Sequence, residues 1–382
     1  MSKKIIIAST EITTGGLGSY LLTLARGLKS RGWEVHLLVT NVHSKVLDQI
    51  REEFKCHDFS RIALAPKKAF MAAELANSVM PEVILSNNCA LLQYATPLID
   101  PAIKTISVLH SDDLRFYAIA ALFPRRLFRW VAPTSGLASR FREFIDQELH
   151  EKIRIIPHGI DRNIFFPDES RRKDKSFQIL FVGFLGESKG ADLLPEIFQK
   201  IAAEIPESTF TVIGDGPLKA HLGEEFVRLG LENRVVMHEQ TSPGQTAEAM
   251  RASRILILPT NLEGFGIVIV ESMMCGAVPV VSRLKGITDQ LVQGGETGFL
   301  IAPKDVDGFA DAVKRMHGNA ELLRAMSLKA QKAAAEAYSV ETMLDRYEAL
   351  FSEPLDGSNK KKQNIPGWYA EAAVQFLRKR LS

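Results

Sequence analysis

Short apolar runs alternate with helix-period segments along most of the chain, and the whole pattern occurs twice. Apolar runs without polar alternation are typical of parallel strands that are buried on both faces. In the first half we predict strands at 5–8, 35–39, 83–85, 105–109, 130–132 and 153–156. In the second half we predict strands at 178–182, 210–213, 235–238, 255–258 and 278–281.

Segments with helical spacing of apolar residues lie between these strands, at 18–29, 68–79, 190–204, 217–229 and 307–316. Strands that alternate with helices build parallel sheets, and 382 residues are too many for one ordinary core. The sequence therefore predicts an α/β fold with two doubly wound, Rossmann-like parallel-sheet domains. Because ligands bind at the carboxyl ends of such strands, we expect the active site in a central cleft between the domains.

Composition limits the classes of protein to consider. A hydrophobic content of 46% with 24% charged residues is typical of a globular protein, and a net charge of +2 gives no case for nucleic-acid binding. Three cysteines without metal-ligand spacing indicate reduced thiols in a cytoplasmic protein. The first apolar run is too short for a signal peptide, and no apolar run is long enough to span a membrane.

The most informative local pattern is the turn Gly264-Phe265-Gly266, which lies between a predicted strand and a helix that runs from Ile267 to a cap at Gly276. Two carboxylates, Glu263 and Glu271, flank this turn. The glycines let backbone amides approach a ligand, and a helix N-terminus favours anions. The pattern fits a phosphate-bearing ligand with hydroxyl groups, but it also fits an ordinary helix start with one surface glutamate and one facing the sheet.

Five motifs in order resemble those of the retaining glycosyltransferases of GT-B fold, family 4 (glycosyl transferases group 1). The Glu263-x7-Glu271 pattern resembles the family's donor-site motif, and it is joined by the motifs at 181–190, 212–217 and 156–161 and by the glycine pair Gly15-Gly16. The resemblance covers nearly the whole chain from 5 to 351. It implies a retaining, metal-independent transferase that moves a sugar from a nucleoside diphosphate to an acceptor hydroxyl.

The resemblance also implies partners and a wider setting. The nucleotide sugar is a substrate, so no cofactor is expected, and the acceptor is a saccharide or is linked to a lipid. The implied pathway is lipopolysaccharide, glycolipid or polysaccharide biosynthesis. The predicted N-terminal domain, on the acceptor side, covers 1–166, and the predicted donor domain covers 177–337. A polar linker at 167–176 separates them. A helix at 338–352 then crosses back to the N-terminal domain.

Roles carried over from the family fall on matching positions of this chain. Glu271 is the ligand of the ribose hydroxyls, and Glu263 lies beside the donor sugar. Lys189 is the cation on the diphosphate. The loop residue Gly183 and the amides around Phe265, Gly266 and Ile267 complete the donor-binding set. In the N-terminal half, Gly16 lets a loop reach the donor phosphate or the acceptor, and His110 faces the donor sugar.

The chain departs from the family at two positions. Phe184 stands where the family has an arginine, which removes a guanidinium that would grip the phosphates. Either Lys189 alone supplies the charge, or Arg283 or Lys285 contributes it. His158 replaces the asparagine of the family's PNGID motif.

Two short motifs have a structural interpretation instead. Asp305-Val306-Asp307 spells the DxD of metal-dependent transferases, but it precedes a predicted helix where aspartate is the expected N-cap. We therefore predict no metal site. Residues 214–217 are predicted to form a tight turn that opens a helix with Pro217 at its first position.

The chain end at 353–382 is basic, with Lys360-Lys361-Lys362 followed by Trp368-Tyr369 and a basic cluster at 378–380. It is typical of an amphipathic helix on an anionic membrane, which would make the protein peripheral on the inner face of the plasma membrane. A helix docked on the N-terminal domain fits the same residues. A second basic and aromatic segment at 123–130 favours membrane contact too.

Other functions fit parts of the pattern. A sugar-nucleotide epimerase or hydrolase of the same fold would bind the same donor without an acceptor groove. A non-catalytic sugar-binding relative is suggested only by Phe184, and both Glu263 and Glu271 argue against it. A nicotinamide dehydrogenase would need a GxGxxG motif, which the run at 15–18 does not supply.

Overall fold

The computed structural model describes residues 3–12, 15–41, 45–62, 65–168, 170, 177–239 and 241–355, which divide into two compact units. The first unit contains the chain before the first helix, Leu17–Pro157 and the described residues from Met343 onward. The second contains His158–Thr342 together with Gly15 and Gly16. The chain therefore enters the second unit at His158 and leaves it after Thr342.

The described residues of the first unit form a seven-stranded, parallel sheet with helices in the connections. Its strands are β1 (Lys4–Ser9), β2 (Glu34–Val39), β3 (Lys55–Asp58), β4 (Val83–Asn87), β5 (Lys104–Val108), β6 (Arg129–Ala132) and β7 (Ile153–Ile155). Its helices are α1 (Gly16–Ser30), α2 (Lys45–Gln49), α3 (Ala65–Val79), α4 (Ala90–Ala95), α5 (Leu114–Ala120) and α6 (Ser135–Phe141). The strand order is β3-β2-β1-β4-β5-β6-β7, a doubly wound arrangement whose switch point lies between β1 and β4.

The described residues of the second unit form a six-stranded parallel sheet in the order β10-β9-β8-β11-β12-β13. Its strands are β8 (Phe177–Val182), β9 (Ser208–Ile213), β10 (Val235–His238), β11 (Ile255–Leu258), β12 (Val278–Ser282) and β13 (Phe299–Ile301). The helices that follow are α7 (Leu194–Glu204), α8 (Lys219–Arg228), α9 (Pro243–Ala252), α10 (Ile267–Met274), α11 (Thr288–Leu291), α12 (Val306–His317), α13 (Ala320–Ala337) and α14 (Val340–Ser352).

The central strands of both sheets are apolar because helices cover both faces. In β11 all four residues are fully buried, and in β1 the run from Ile5 to Ala8 is at most 2% exposed. Burial of such side chains is the main favourable contribution to folding, about 1.5–3 kcal/mol for each large aliphatic residue. The prediction of two Rossmann-like parallel sheets is confirmed.

The end of α14 packs within the first unit. Tyr347 and Phe351 are buried, and the Tyr347 hydroxyl lies 2.6 Å from the Tyr20 hydroxyl of α1. Just beyond the helix, Glu353 forms ion pairs with Arg129 of β6 and Arg154 of β7. A hydrogen bond and an ion-pair cluster thus fix this segment in the first unit.

Two local predictions are wrong. The helix predicted from 217 begins at Lys219, so Pro217 lies in the preceding turn and not at the first helical position. The start of the helix predicted from 190 is a separate 3-10 turn, Ala191–Leu193. In the segment at 123–130, Phe128 and Trp130 are fully buried and Phe123 is half-buried, so little of its aromatic surface is exposed, and membrane contact there stays a prediction.

Two strands and several helices were not predicted, among them the 18-residue helix α13. The edge strands β3 and β13 were missed because β3 has the sequence Lys-Cys-His-Asp and β13 is only three residues long. Most of the linker at 167–176 and nearly all of the basic tail lie outside the described residues. Within those residues, no helix combines the length and the apolar character that crossing a bilayer requires.

Candidate active site

The turn between β11 and α10 has the geometry that the sequence pattern predicted. Gly266 has a φ of +90°, in the left-handed region, and a Cβ there would lie 2.8 Å from Ile269 Cδ1. Glycine is therefore required at this position. It places the backbone of the turn directly at the start of α10, where amide N–H groups face outward from a helix N-terminus. At the other end of α10, Gly276 has a φ of +82°, as expected for a cap.

The loop after β8 packs against the end of β11. It contains the 3-10 helix Glu187–Lys189 and ends at Gly190, which has a φ of +65°. A Cβ on Gly190 would lie 1.9 Å from the Pro259 carbonyl oxygen, so no other residue allows this approach. Since Pro259 directly follows β11, the close contact at Gly190 brings the 183–190 loop to the residues that precede the Gly-Phe-Gly turn.

Lys189 and Glu263, which were predicted from separate motifs, are in contact. The Lys189 Nζ lies 2.6 Å from Glu263 Oε1 and also donates to the Leu262 carbonyl at 3.0 Å. The Glu263 side chain is 8% exposed and the Lys189 side chain 25% exposed. The pair is held by Thr260, whose hydroxyl lies 3.4 Å from Glu263 Oε1 and donates to the Ser188 carbonyl at 3.1 Å. The site thus has a largely buried carboxylate and a cation with one face toward solvent.

Glu271 lies in the middle of α10 and is buried. Within the part of the chain that the structure describes, its carboxyl group takes part in no hydrogen bond or ion pair. Burial raises the pKa of Glu271 to about 8, because the charged form loses its hydration. A buried acceptor of this kind is stabilised by any ligand that donates hydrogen bonds to it, and two neighbouring hydroxyl groups match its two oxygens.

His110 directly follows β5 in the first unit. Its Nε2 donates to Asn87 Oδ1 at 2.9 Å, which fixes the proton on Nε2, and its ring lies 5.1 Å from the ring of Tyr20. Burial lowers the pKa of His110 to about 3, so the ring is neutral at physiological pH. His110 is therefore a hydrogen-bonding group and not a charged one.

The remaining predicted residues are placed as follows. Gly16 is the first residue of α1, and Gly183 follows β8, with its N–H donating to the Ile213 carbonyl at 3.0 Å. Phe184 is 53% exposed and its ring lies over Gly186. Arg283 and Lys285, the alternative cations, are both exposed after β12.

Sequence reasoning missed three residues near the turn. Thr260 supports the Lys189–Glu263 pair, and its position within the motif stretch is a signal that could have identified it. His158 and Tyr338 place their rings against the Phe265 ring, at centroid distances of 5.0 Å and 5.7 Å. Nothing in the sequence pattern points to Tyr338, because the contact depends on how distant segments pack.

The DxD sequence has a structural role. Asp305 is the N-cap of α12 and accepts from the Gly308 N–H at 2.9 Å, which confirms the predicted cap. Asp307 lies 2.9 Å from Lys200. No group of three or more His, Cys, Asp or Glu side chains in the described residues is arranged to hold a metal ion.

Known proteins share both sequence and fold with this chain. A family model described as "Glycosyl transferases group 1" matches residues 163–333, and one described as "Glycosyltransferase Family 4" matches residues 14–163. The N-acetyl-alpha-D-glucosaminyl L-malate synthase of Bacillus anthracis is 24% identical over 91% of this chain and 97% of its own length. A D-inositol 3-phosphate glycosyltransferase of Acidothermus cellulolyticus is 32% identical, but over only 44% of this chain and 40% of that protein.

The fold is also that of solved glycosyltransferases. The Anabaena protein HepE, solved in complex with UDP and glucose, superposes with a TM-score of 0.78 at 19% identity, covering 92% of this chain and 99% of HepE. The two family matches meet at residue 163 and together account for residues 14–333 of the 382. The chain therefore belongs to the glycosyltransferases of GT-B fold, family 4.

Proposed function

We propose that this glycosyltransferase is retaining and metal-independent and transfers a sugar from a nucleoside diphosphate to an acceptor hydroxyl. The proposal rests on three side chains that lie at or beside one strand-to-helix turn. A cation, Lys189, contacts a buried carboxylate, Glu263, and a second buried carboxyl, Glu271, has no partner among the described residues. A nucleotide sugar carries the matching groups: a diphosphate, sugar hydroxyls and a ribose diol.

The proposed chemistry assigns one task to each group. Glu271 accepts hydrogen bonds from the ribose hydroxyls, and the Phe265, Gly266 and Ile267 amides bind sugar hydroxyls and phosphate oxygens. The bond between the anomeric carbon and the phosphate oxygen breaks, and the electron pair leaves with the nucleoside diphosphate. Lys189 stabilises the negative charge that develops there. The acceptor oxygen bonds to the same carbon, and its proton passes to an oxygen of the departing diphosphate.

Glu263 and His110 complete the proposed site. Glu263 lies beside the sugar, where a carboxylate stabilises positive charge at the anomeric carbon. His110, whose one N–H on Nε2 already donates to Asn87, faces the sugar as a neutral ring. Since Asp305 and Asp307 have structural partners and Lys189 supplies a positive charge, we propose that no metal or cofactor takes part.

The relatives support a nucleotide-sugar donor but do not narrow the chemical class of the acceptor. HepE has been solved in complex with UDP-glucose. The names of two relatives refer to L-malate and to D-inositol 3-phosphate, which both carry hydroxyl groups. We propose a UDP-sugar as the first donor to test and a saccharide or lipid-linked hydroxyl as the acceptor class, within polysaccharide, lipopolysaccharide or glycolipid assembly.

The test is a thermal-shift and calorimetric screen of UDP, GDP and ADP sugars, followed by NMR of the products. Only a nucleotide that binds the folded protein raises its melting temperature. A new glycoside with the anomeric configuration of the donor supports retention, and inversion would contradict it. Epimerised or hydrolysed donor without an acceptor product would support the epimerase or hydrolase alternative instead.

The basic tail is the basis of a second, separate proposal, namely peripheral binding to anionic membranes. The chain should be cut after Leu355 and not earlier, because Glu353 forms ion pairs with Arg129 and Arg154. If the tail binds lipid, the full-length protein sediments with anionic liposomes and the shortened one does not, while their melting temperatures agree. A lower melting temperature after truncation and no sedimentation of the full chain would show that the tail is structural.

A further inference from the structure

The proposed chemistry uses the backbone amide of Phe265 but not its side chain. Its backbone amide belongs to the Gly-Phe-Gly turn, but its ring is only 3% exposed and points into the second unit. There it meets two rings edge to face, His158 at 5.0 Å with an interplanar angle of 61° and Tyr338 at 5.7 Å with an angle of 73°. The ring therefore connects the turn to two segments that are distant in sequence.

Those two segments are where the chain enters and leaves the second unit. His158 is the first residue of its long segment 158–342, and Tyr338 lies four residues before Thr342, the last. The segments are joined to each other by a parallel bridge between Ile160 and Ser339, and the Ile160 N–H donates to the Tyr338 carbonyl at 2.8 Å. The two crossing segments and the Phe265 ring thus form one packed cluster.

Tyr338 is also fixed from the other side. Its hydroxyl donates to the Gln290 carbonyl at 3.1 Å, in the helix α11. Close-packed interiors do not deform continuously, so a ring held between two such partners moves only together with them. A shift of the turn backbone at Phe265 must therefore displace His158 or Tyr338, and the reverse holds as well.

We propose that His158 and Tyr338 are positioning residues for the donor turn, and that Phe265 couples occupancy of that turn to the two crossing segments. This inference rests on the proposed function for the identity of the ligand. It also gives a physical role to the replacement of the family's asparagine by His158, because a histidine supplies an aromatic edge that asparagine lacks.

The first experiment measures nucleotide affinity in matched variants. Phe265→Leu keeps the backbone amide but removes both ring contacts, and it should raise the Kd for UDP roughly tenfold, as expected for a turn that is no longer held in its binding geometry. Phe198→Leu is the control, since Phe198 also has two ring partners in this unit, Phe210 at 4.2 Å and Phe226 at 5.8 Å. It should lower the melting temperature to a similar extent but leave the Kd unchanged.

Substitutions at His158 separate ring packing from general destabilisation. His158→Phe retains an aromatic ring and should keep the wild-type Kd, whereas His158→Asn should raise it about threefold through the lost ring contact. Equal Kd values for the two variants, or an unchanged Kd in Phe265→Leu, would overturn the positioning role.

The second experiment does not depend on a ligand. Amide hydrogen exchange is followed at Ile160, which donates to Tyr338, and at Ile269, which donates to the Gly266 carbonyl at 2.9 Å. Phe265→Leu should speed exchange at both amides about tenfold, while Phe198→Leu should speed neither, because local opening reports local contacts. In the wild type, added UDP should slow exchange at Ile160.

The two experiments test the coupling through Phe265 and the proposed function separately. Exchange at Ile160 that does not respond to Phe265→Leu would disprove the coupling, whatever the nucleotide data show. If the wild type binds none of UDP, GDP or ADP, the proposed function fails, and the exchange comparison of the two leucine variants still decides whether the ring couples the turn to the crossing segments.

Discussion

The two units share a doubly wound topology, but the polar side chains at their predicted site residues differ in whether they have hydrogen-bond partners among the described residues. In the first unit, the half-buried His110 donates to Asn87 and packs on Tyr20. In the second, the buried Glu271 has no partner in the described residues, and Lys189 and Glu263 form a partly open ion pair. The first arrangement has its hydrogen-bond partner within the protein, whereas we propose that the second is completed by a ligand that supplies hydroxyl and phosphate groups.

Burial is the common cause of two opposite pKa shifts. It lowers the pKa of His110 to about 3 and raises the pKa of Glu271 to about 8, because in both residues the neutral form is favoured. The consequences differ, since His110 stays neutral across the physiological range while Glu271 changes its charge close to neutral pH. Among the described residues, we therefore expect Glu271 of the second unit to change its ionisation when a ligand binds.

The largest expected effect tests the charged pair of the second unit. Lys189→Ala removes the cation proposed to stabilise the leaving diphosphate, and kcat should fall about 10²–10³-fold, the scale of losing one preorganised donor at a developing charge. Steady-state kinetics with the best donor measures this. Lys219→Ala is the matched control, because Lys219 pairs with the exposed Glu239 at 2.8 Å. A loss of activity that is equal in both variants would contradict a specific role for Lys189.

The next effect concerns the unpartnered carboxyl. Glu271→Ala should weaken nucleotide binding by about 1.5–3 kcal/mol, the value of hydrogen bonds to a charged group. Calorimetry in buffers of different ionisation enthalpy should also show that binding releases a proton at pH 7, because the ligand-free carboxyl is mostly protonated there. An unchanged affinity would remove Glu271 from the donor site.

The same carboxyl predicts a dependence of stability on pH. Its folded pKa of about 8 lies above the ordinary glutamate pKa of 4.5, so the folded state binds the proton more tightly than the unfolded state. The free energy of unfolding should therefore fall as the pH rises from about 4.5 to about 8, by a few kcal/mol from this group alone. Urea unfolding at pH 5 and pH 8 should show a smaller fall in Glu271→Gln than in the wild type.

The first unit should respond in the opposite direction. The folded pKa of His110 lies below its ordinary value of 6.5, so its contribution to stability is present above pH 6.5 and is lost as the pH falls toward 3. In His110→Gln, the part of the fall in stability between pH 6.5 and pH 3 that is due to His110 should be absent. This substitution should lower kcat about tenfold, which is the scale of one lost hydrogen bond, and leave the UDP affinity unchanged. A change in UDP affinity as large as that of Glu271→Ala would contradict the proposed difference between the two units.

The sequence predicted what depends on local pattern. All eleven predicted strands are present, and Lys189, Glu263 and Glu271 could be selected because the motifs that contain them resemble those of a known family. Contacts between distant segments were not accessible in this way. The Phe265 ring meets Tyr338 across 73 residues of chain, and the Tyr20–Tyr347 hydrogen bond spans 327. The polar edge strand β3 was missed because it has no apolar run.

The smallest expected effect concerns the DxD sequence, which belongs to neither functional arrangement. Asp305 accepts from the Gly308 N–H as the N-cap of α12, so Asp305→Ala should cost about 1 kcal/mol of stability and leave kcat unchanged. Asp307→Asn should have a still smaller effect, because its partner Lys200 lies at the surface and exposed ion pairs contribute little. Activity should persist in excess EDTA for the wild type and both variants. Activity that is lost on chelation and restored by manganese or magnesium would show that a metal, and not Lys189 alone, carries the charge at the diphosphate.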